Sequence, residues 1–291
     1  MYFAAMSLFI ASLNSGSNGN CYYVGNNDEG ILIDAGISCR EIIKRMNSLG
    51  LQPEKLKAVF ITHEHTDHIS GLPSLLKKYS LPVYITAATY SGTGFSIDRQ
   101  LIHSFKAFEA IQVGSLSVTA FPKWHDAVDP HSMVISFAGV TVGVFTDIGA
   151  PCKNVIHYFK QCHAIFLESN YDEGMLANGR YPIFLKRRIT GGRGHLSNSQ
   201  ALQIFLEHRP AFMTHVLLSH LSSENNAPSI AENLFKQHAA GTHIVHAPRY
   251  GTTAVYHITA SAPSPIFMPM QAMAPMAKKK TVSPKLQLSL F

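Results

Sequence analysis

The sequence has 291 residues, 46% apolar and 14% charged, which excludes a wholly disordered chain and leaves room for one large α/β domain with an appendage. Its formal charge of +6 is mostly terminal: residues 261–291 carry Lys278, Lys279, Lys280 and Lys285 and no acid, leaving 20 basic against 18 acidic groups before them, so any basic groove in the body must be local. Four cysteines without CxxC spacing argue for reduced thiols and a cytoplasmic setting over a disulfide frame, and no apolar run reaches membrane-spanning length. The opening MYFAAMSLFIAS imitates a signal segment but lacks its basic start, and Met6 is a plausible true start.

In chain order, SLFIASL, CYYVGN and GILIDAG read as strands, and Ile42, Ile43, Met46 and Leu49 then share one face of a helix over about 38–49. The strand LKAVFIT follows, then a polar turn, a helix near 72–79 and the short strand VYIT. IQVGSLSVTAFP and HSMVISFAGVTVGVFTD read as hairpins that turn at Gly114 and Gly139. Helices recur near 153–161, 199–207 and 230–238 among the strands AIFLES, HVLLS and HIVHAP, with a last strand near 252–259. This rhythm predicts an α/β protein with sheets inside and helices outside. From residue 261 the composition turns to Pro, Met, Ala and Lys without periodicity, which predicts a disordered tail (261–291) on a single domain (1–260).

Sixteen histidines stand out, and three of them crowd into Thr62-His63-Glu64-His65-Thr66-Asp67-His68, directly after the apolar AVFI. Such a run supplies nitrogen and oxygen donors that borderline ions accept. His63 and His65 alternate and can point to one side, while Asp67 and His68 can turn to a second centre. One loop cannot complete two coordination shells. Further donors stand at other strand ends: His125 after SVTAF, Asp147 after VTVGVF and His220 after HVLL, where a buried sheet can present a rigid ligand. Two divalent ions, zinc or manganese, are the expected cofactors. His103, His131, His157, His163, His208, His238, His243, His246 and His257 read as ordinary side chains.

The pattern resembles the metallo-β-lactamase superfamily, whose αββα sandwich carries an HxHxDH signature, met here by His63, His65, Asp67 and His68. The resemblance implies that His63, His65 and His125 hold one ion, Asp67, His68 and His220 the other, and that Asp147 bridges them. Asp34, in ILIDAG, matches the superfamily's early aspartate, which orients a ligand histidine without binding the ion itself. The likeness runs from residue 7 to about 260. NSGSNGNCYYV, ESNYDEGML, NGRYPIFLKRRITGGRGHLSNSQA and LLSHLSSENN further look like its WalJ/YycJ-type branch, bacterial proteins described as DNA exonucleases. Tyr171 departs from that branch, which would place a histidine after Ser-Asn.

Phosphate chemistry has its own signal. Lys186, Arg187, Arg188 and Arg193 concentrate before Gly194-His195-Leu196-Ser197-Asn198, and Lys186, Arg188, Arg193, Ser197 and Asn198 are the candidate phosphate donors, with Gly191, Gly192 and Gly194 letting the main chain come close. The implied reaction is DNA exonuclease cleavage in replication or repair: a hydroxide held between the ions attacks phosphorus, Asp67 and His195 being the catalytic residues. His195 would stabilise the phosphate or protonate the leaving oxygen. It competes with His220 for the last ligand position, and His220, ending an apolar strand, is preferred. A phosphodiesterase acting on RNA or small cyclic phosphodiesters, and a clamp-associated non-catalytic adaptor, are the alternatives.

The final Gln287-Leu288-Ser289-Leu290-Phe291 resembles the bacterial sliding-clamp-binding pentapeptide. Leu288, Leu290 and Phe291 would fill an apolar pocket while the Gln287 amide gives a directional bond. Residues 261–286 would form a flexible tether spanning roughly 28 Å. The expected partners are therefore DNA and the sliding clamp.

Overall fold

The computed structural model describes residues 7–260. The first sheet is built from β1 (Ser7–Asn14), β2 (Cys21–Gly25), β3 (Gly30–Ile33), β4 (Leu56–Phe60), β5 (Val83–Tyr84) and β6 (Ile102–His103). The chain then crosses to a second sheet of β7 (Ala110–Val113), β8 (Leu116–Pro122), β9 (His131–Phe137), β10 (Val140–Phe145), β11 (Ala164–Glu168), β12 (His215–Ser219) and β13 (His243–His246), and β14 (Tyr256–Thr259) returns to pair antiparallel with β1. Strand orders are β14-β1-β2-β3-β4-β5-β6 and β13-β12-β11-β10-β9-β8-β7. Hairpins make the β1–β2–β3 and β7–β8–β9–β10 pairs antiparallel. The β3–β4–β5–β6 and β10–β11–β12–β13 pairs are parallel, because helices separate those strands in sequence. The helices are α1 (Cys39–Ser48), α2 (Thr66–Ile69), α3 (Leu72–Tyr79), α4 (Ala87–Gly92), α5 (Lys153–Phe159), α6 (Glu173–Asn178), α7 (Ile183–Thr190), α8 (Asn198–His208) and α9 (Pro228–Lys236).

Both faces of each sheet are covered, which is why the strands run apolar with little alternation. Leu8, Ile10, Tyr22 and Val24 meet Val118, Ala120, Val142 and Phe166 between the sheets. On the outer faces, Leu13, Leu32 and Val59 pack against Ile42, Met46, Leu72 and Leu76 of α1 and α3, while Ile165, Leu167 and Val216 pack against Val155, Phe159, Phe205 and Phe235 of α5, α8 and α9. The result is the αββα sandwich. Each fully buried Leu, Ile or Phe contributes about 1.5–3 kcal/mol.

The expected elements recur with small shifts. Ser38 caps α1 by accepting the Glu41 N–H, and the hairpins turn at Gly114 (φ 59) and at Ala138-Gly139 (φ 49 and 81). Sequence reading missed α2, α4, α6 and α7. The α7 segment IFLKRRIT buries no residue, so it offers no apolar stripe to find. No helix among the described residues is long and apolar enough to cross a membrane. Met6, the tail and the clamp-like Gln287, Leu288, Leu290 and Phe291 lie outside the described residues.

Candidate metal centre

The ends of β3, β4, β8, β10, β11 and β12 converge on one end of the sandwich. Asp34 follows β3 in the left-handed backbone region (φ 63) and is fully buried. Its Oδ1 accepts the Thr62 N–H at 2.8 Å, and its Oδ2 accepts the Thr62 hydroxyl at 2.8 Å and His68 Nδ1–H at 2.7 Å. One carboxylate thus fixes the exit of β4 and the ring of a donor in α2. Because the Thr62 hydroxyl is spent on Asp34, His63 Nδ1–H donates to Thr62 Oγ1 at 2.9 Å and leaves Nε2 bare when the ring is neutral.

That Nε2 lies 3.2 Å from His65 Nδ1, and His125 Nε2 lies 3.3 Å from the same atom. His125 Nδ1–H donates to the Gly194 carbonyl at 3.1 Å, so its Nε2 is also bare. The rings stand close enough for His65 Nδ1–H to donate to one of these nitrogens, or for a cation to replace that proton, and a borderline ion with imidazole ligands fits. Burial, aided by the nearby His68 charge, holds His63 well below the usual imidazole range, and burial with Lys123 pushes His125 down to about 4. His63 and His125 are thus neutral donors near neutral pH.

The turn of α2 sends Asp67 and His68 to the other side. Its close approach to the β3–α1 loop requires glycine: a Cβ on Gly36 would lie 1.7 Å from the Asp67 carbonyl. Asn20 Nδ2 donates to Asp67 Oδ2 at 3.1 Å, while its Oδ1 accepts the Tyr22 hydroxyl at 3.0 Å. His220 leaves β12 with φ 57, its N–H donating to Ser15 Oγ at 2.7 Å and Asn170 Nδ2 donating to its carbonyl at 2.7 Å. Its Nε2 is then 3.4 Å from Asp67 Oδ2.

Asp147, after β10 with φ 54, stands between the clusters. Its Oδ2 is 3.1 Å from His68 Nε2, and its Oδ1 is 3.6 Å from His220 Nε2 and 3.8 Å from His125 Nε2. The Oδ2 is buried and faces the His68 ring, so a cation bound there would take the place of the ring proton. Left-handed backbone costs a non-glycine residue about 1–3 kcal/mol, and Asp34, Asp147 and His220 all carry it where it aims a side chain at this centre.

Charge separates the second cluster from the first. Burial opposes ionisation of Asp67 and Glu168, yet neighbouring imidazoles outweigh it and hold both carboxyls down to about 2. Asp147 is likewise held well below the usual carboxylate range by His220 and His68 against its burial. His220 is lifted to about 10 by Asp147, Asp67 and Glu168, and His68 is lifted well above its usual range by Asp147, Asp34 and Asp67, in both cases against burial. A divalent cation would replace the protons on these rings.

Glu168 escaped sequence reading. It ends β11, is fully buried, and its Oε1 accepts His195 Nδ1–H at 2.8 Å and His220 Nδ1–H at 3.1 Å, while its Oε2 accepts the N–H groups of Ile148 (2.7 Å) and Leu196 (3.1 Å). It therefore orients both histidines that compete for the last ligand position. His220 groups with Asp67 and His68, whereas His195 groups with Asp147, Glu168 and His220, and its ring stands 5.3 Å from that of His125. The signal for Glu168 was a carboxylate closing an apolar strand, as at Asp147. Asn20, Ser15 and Asn170 were missed as well: they lie in stretches read for family likeness, and their bonds to Asp67 and His220 close only on folding.

The basic segment is arranged differently from the expectation. Arg188 pairs with Asp126, Lys186 Nζ donates to the Ala177 carbonyl at 2.7 Å, and Arg193 is exposed. Ser197 and Asn198 must be corrected as phosphate donors, since both are buried and engaged. Ser197 Oγ accepts the Gln200 N–H at 3.1 Å in a capping box for α8, and Asn198 Oδ1 accepts the Ser169 hydroxyl at 2.6 Å. Gly194 serves packing, because a Cβ there would meet the Ile189 carbonyl at 2.1 Å, and only its carbonyl reaches the centre, through His125. Tyr171 is buried and, like the nine histidines read as ordinary, joins none of the candidate metal groups among the described residues.

Residues 15–173 match the family model of the metallo-beta-lactamase superfamily. The chain is 33% identical over 231 residues to Exodeoxyribonuclease YycJ of Bacillus anthracis, spanning 78% of this chain and 87% of that protein. It is 30% identical over 224 residues to Exodeoxyribonuclease WalJ of Streptococcus pneumoniae, spanning 75% and 83% of the two chains. Among solved structures, the metallo-beta-lactamase fold protein YhfI from Bacillus subtilis superposes with a TM-score of 0.65 at 18% identity, covering 86% of this chain and 99% of that one, a likeness of fold alone.

Proposed function

The chain belongs to the metallo-beta-lactamase superfamily, and from that membership we propose that it is a two-metal DNA exonuclease of replication or repair. It is a metal-dependent hydrolase of the YycJ/WalJ-type branch. The observation that carries the reading is the pair of donor clusters joined by the buried Asp147 carboxylate, which faces His68, His220 and His125. In this reading His63, His65 and His125 hold one ion, Asp67, His68 and His220 the other, and Asp147 both, with Asp34 and Glu168 setting the rings. The ions, zinc or manganese, would supply a water acidic enough to attack near neutral pH and would neutralise a phosphate oxygen.

The protein's own groups do the rest. Asp67, whose side chain is 22% exposed, receives the proton of the attacking water. His195, with Nδ1–H held by Glu168, turns its other nitrogen toward the leaving oxygen and protonates it. Arg188, fixed on Asp126, and the exposed Arg193 bind backbone phosphates beside Lys186. Residues 1–260 form the catalytic domain, and the tail carries Gln287, Leu288, Leu290 and Phe291 to a sliding clamp in the cytoplasm.

Metal-loaded protein should be offered end-labelled single-stranded DNA, RNA and a small cyclic phosphodiester. Stepwise loss of terminal nucleotides from DNA is expected. Preference for RNA or the cyclic compound would instead select the alternative phosphodiesterase, and no cleavage at full metal loading would leave the adaptor. Deleting residues 287–291 should abolish clamp capture and leave digestion of naked DNA intact; a truncated chain that still binds the clamp refutes that role.

A further inference from the structure

We propose that Trp124 is a stacking platform for a base of the strand being cut, a positioning residue that seats the scissile phosphate at the metal centre; this rests on the nuclease reading. Trp124 is the chain's sole tryptophan and is 58% exposed. It immediately precedes His125, which is 4% exposed. Burial alternates here, Lys123 and His125 turning in while Trp124, Asp126 and Val128 turn out. The indole therefore shares its side of the loop with Asp126, the carboxylate that holds Arg188.

The loop is tied down rather than free. The Trp124 carbonyl accepts the Gly149 N–H at 2.6 Å, the Val128 N–H donates to Glu64 Oε1 at 2.8 Å, and the Lys123 N–H donates to the Pro130 carbonyl at 3.1 Å. Glu64 belongs to the same histidine run as the donors. A pinned loop thus holds a large aromatic ring in water, one residue from His125 and on the side of a docked guanidinium. Packing does not account for the ring, since no other ring among the described residues contacts it and most of it is open to solvent. The helix that supplies Arg188, α7, buries none of its own residues and leaves Phe184 73% exposed, so this face is built to be covered.

Cation and ring together are the chemistry of single-strand binding. The cation follows the phosphates and the ring takes a base, and the pairing tolerates any sequence because every base has a π-face. An enzyme that removes nucleotides in succession needs that tolerance. A second copy of the chain is the competing occupant of the same face.

Because Trp124 is the sole tryptophan, indole emission of the full chain reads this one site. Metal-stripped protein should be titrated with a single-stranded oligonucleotide and with an abasic phosphodiester chain of equal length. Saturable quenching by the first and little by the second is expected; equal quenching by both, or emission that tracks protein concentration alone, overturns the proposal. With metal-loaded protein, Trp124→Ala should raise KM for single-stranded DNA roughly 5- to 150-fold while kcat stays within about twofold, and Trp124→Phe should recover most of the loss. An unchanged KM overturns it. If the wild type quenches selectively yet cuts no DNA, the platform stands and the nuclease reading falls.

Discussion

The two halves of the centre are built from opposite electrostatics. His63, His65 and His125 bring three imidazoles together, and burial keeps His63 and His125 neutral. Asp67, His68 and His220 form a buried lattice of ion pairs, held by Asp34, Asp147 and Glu168. The first half is held by imidazole–imidazole contacts at 3.2 and 3.3 Å and by a 3.5 Å approach of His125 Nε2 to Asp126 Oδ1. The second satisfies itself with protons until a cation displaces them. In the proposed dinuclear site the halves would therefore differ in what metal removal does: the imidazole half would loosen, while the charged half would keep its structure.

The largest expected contrast is between His65→Ala and Asp67→Ala. Both should cut turnover by on the order of 1000-fold, since each removes a donor from the centre. Only Asp67→Ala should also lower the melting temperature of chelated protein, by removing one of the carboxylates that pair with His68 and His220. Equal melting temperatures for the two chelated variants would erase the distinction. A smaller effect is expected of Glu168→Gln, which keeps the shape but swaps an acceptor for an amide beside two imidazoles. Activity or affinity for the second ion should fall about 10- to 100-fold, while the first ion stays bound. Loss of both ions together would contradict the division.

Stability against pH sharpens the comparison further. His220 is raised on folding from 6.5 to about 10, so its contribution is whole below about 6.5 and drains away as pH climbs toward 10. Glu168 is depressed from 4.5 to about 2, so its contribution is whole above about 4.5 and drains away as pH falls toward 2. Chelated protein should therefore weaken on both sides of that window, and added metal, which takes the place of the His220 and His68 protons, should shift the optimum upward. Thermal melts with and without chelator would measure it, and coincident curves would refute it. The smallest effect expected is that of Arg188→Ala, which should weaken DNA binding several-fold, with little change in kcat, because an exposed phosphate contact is worth about one counterion.

The sandwich was largely legible because strands covered on both faces run apolar and their helices carry clear stripes, as Ile42 and Met46 do in α1. The candidate donors stood out for a related reason: a titratable residue where an apolar strand stops is conspicuous, and the structure brings His125, Asp147 and His220, which all stop one, to the same end of the sandwich. Glu168 met the same criterion and was passed over, since a lone glutamate after AIFL belongs to no metal motif. Ser197 and Asn198 were read for donors when the Ser-x-x-Gln spacing already spelled a helix cap. Asn20 and Ser15 were beyond reach, because their bonds to Asp67 and His220 span 47 and 205 residues and only the folded chain closes them.

Two cations joined by Asp147 are the central claim, and anomalous scattering from crystals of metal-loaded protein tests it most directly. Two peaks are predicted, one among His63, His65 and His125 and one among Asp67, His68 and His220, with the Asp147 carboxylate touching each. A single peak, or density centred away from these side chains, would contradict it.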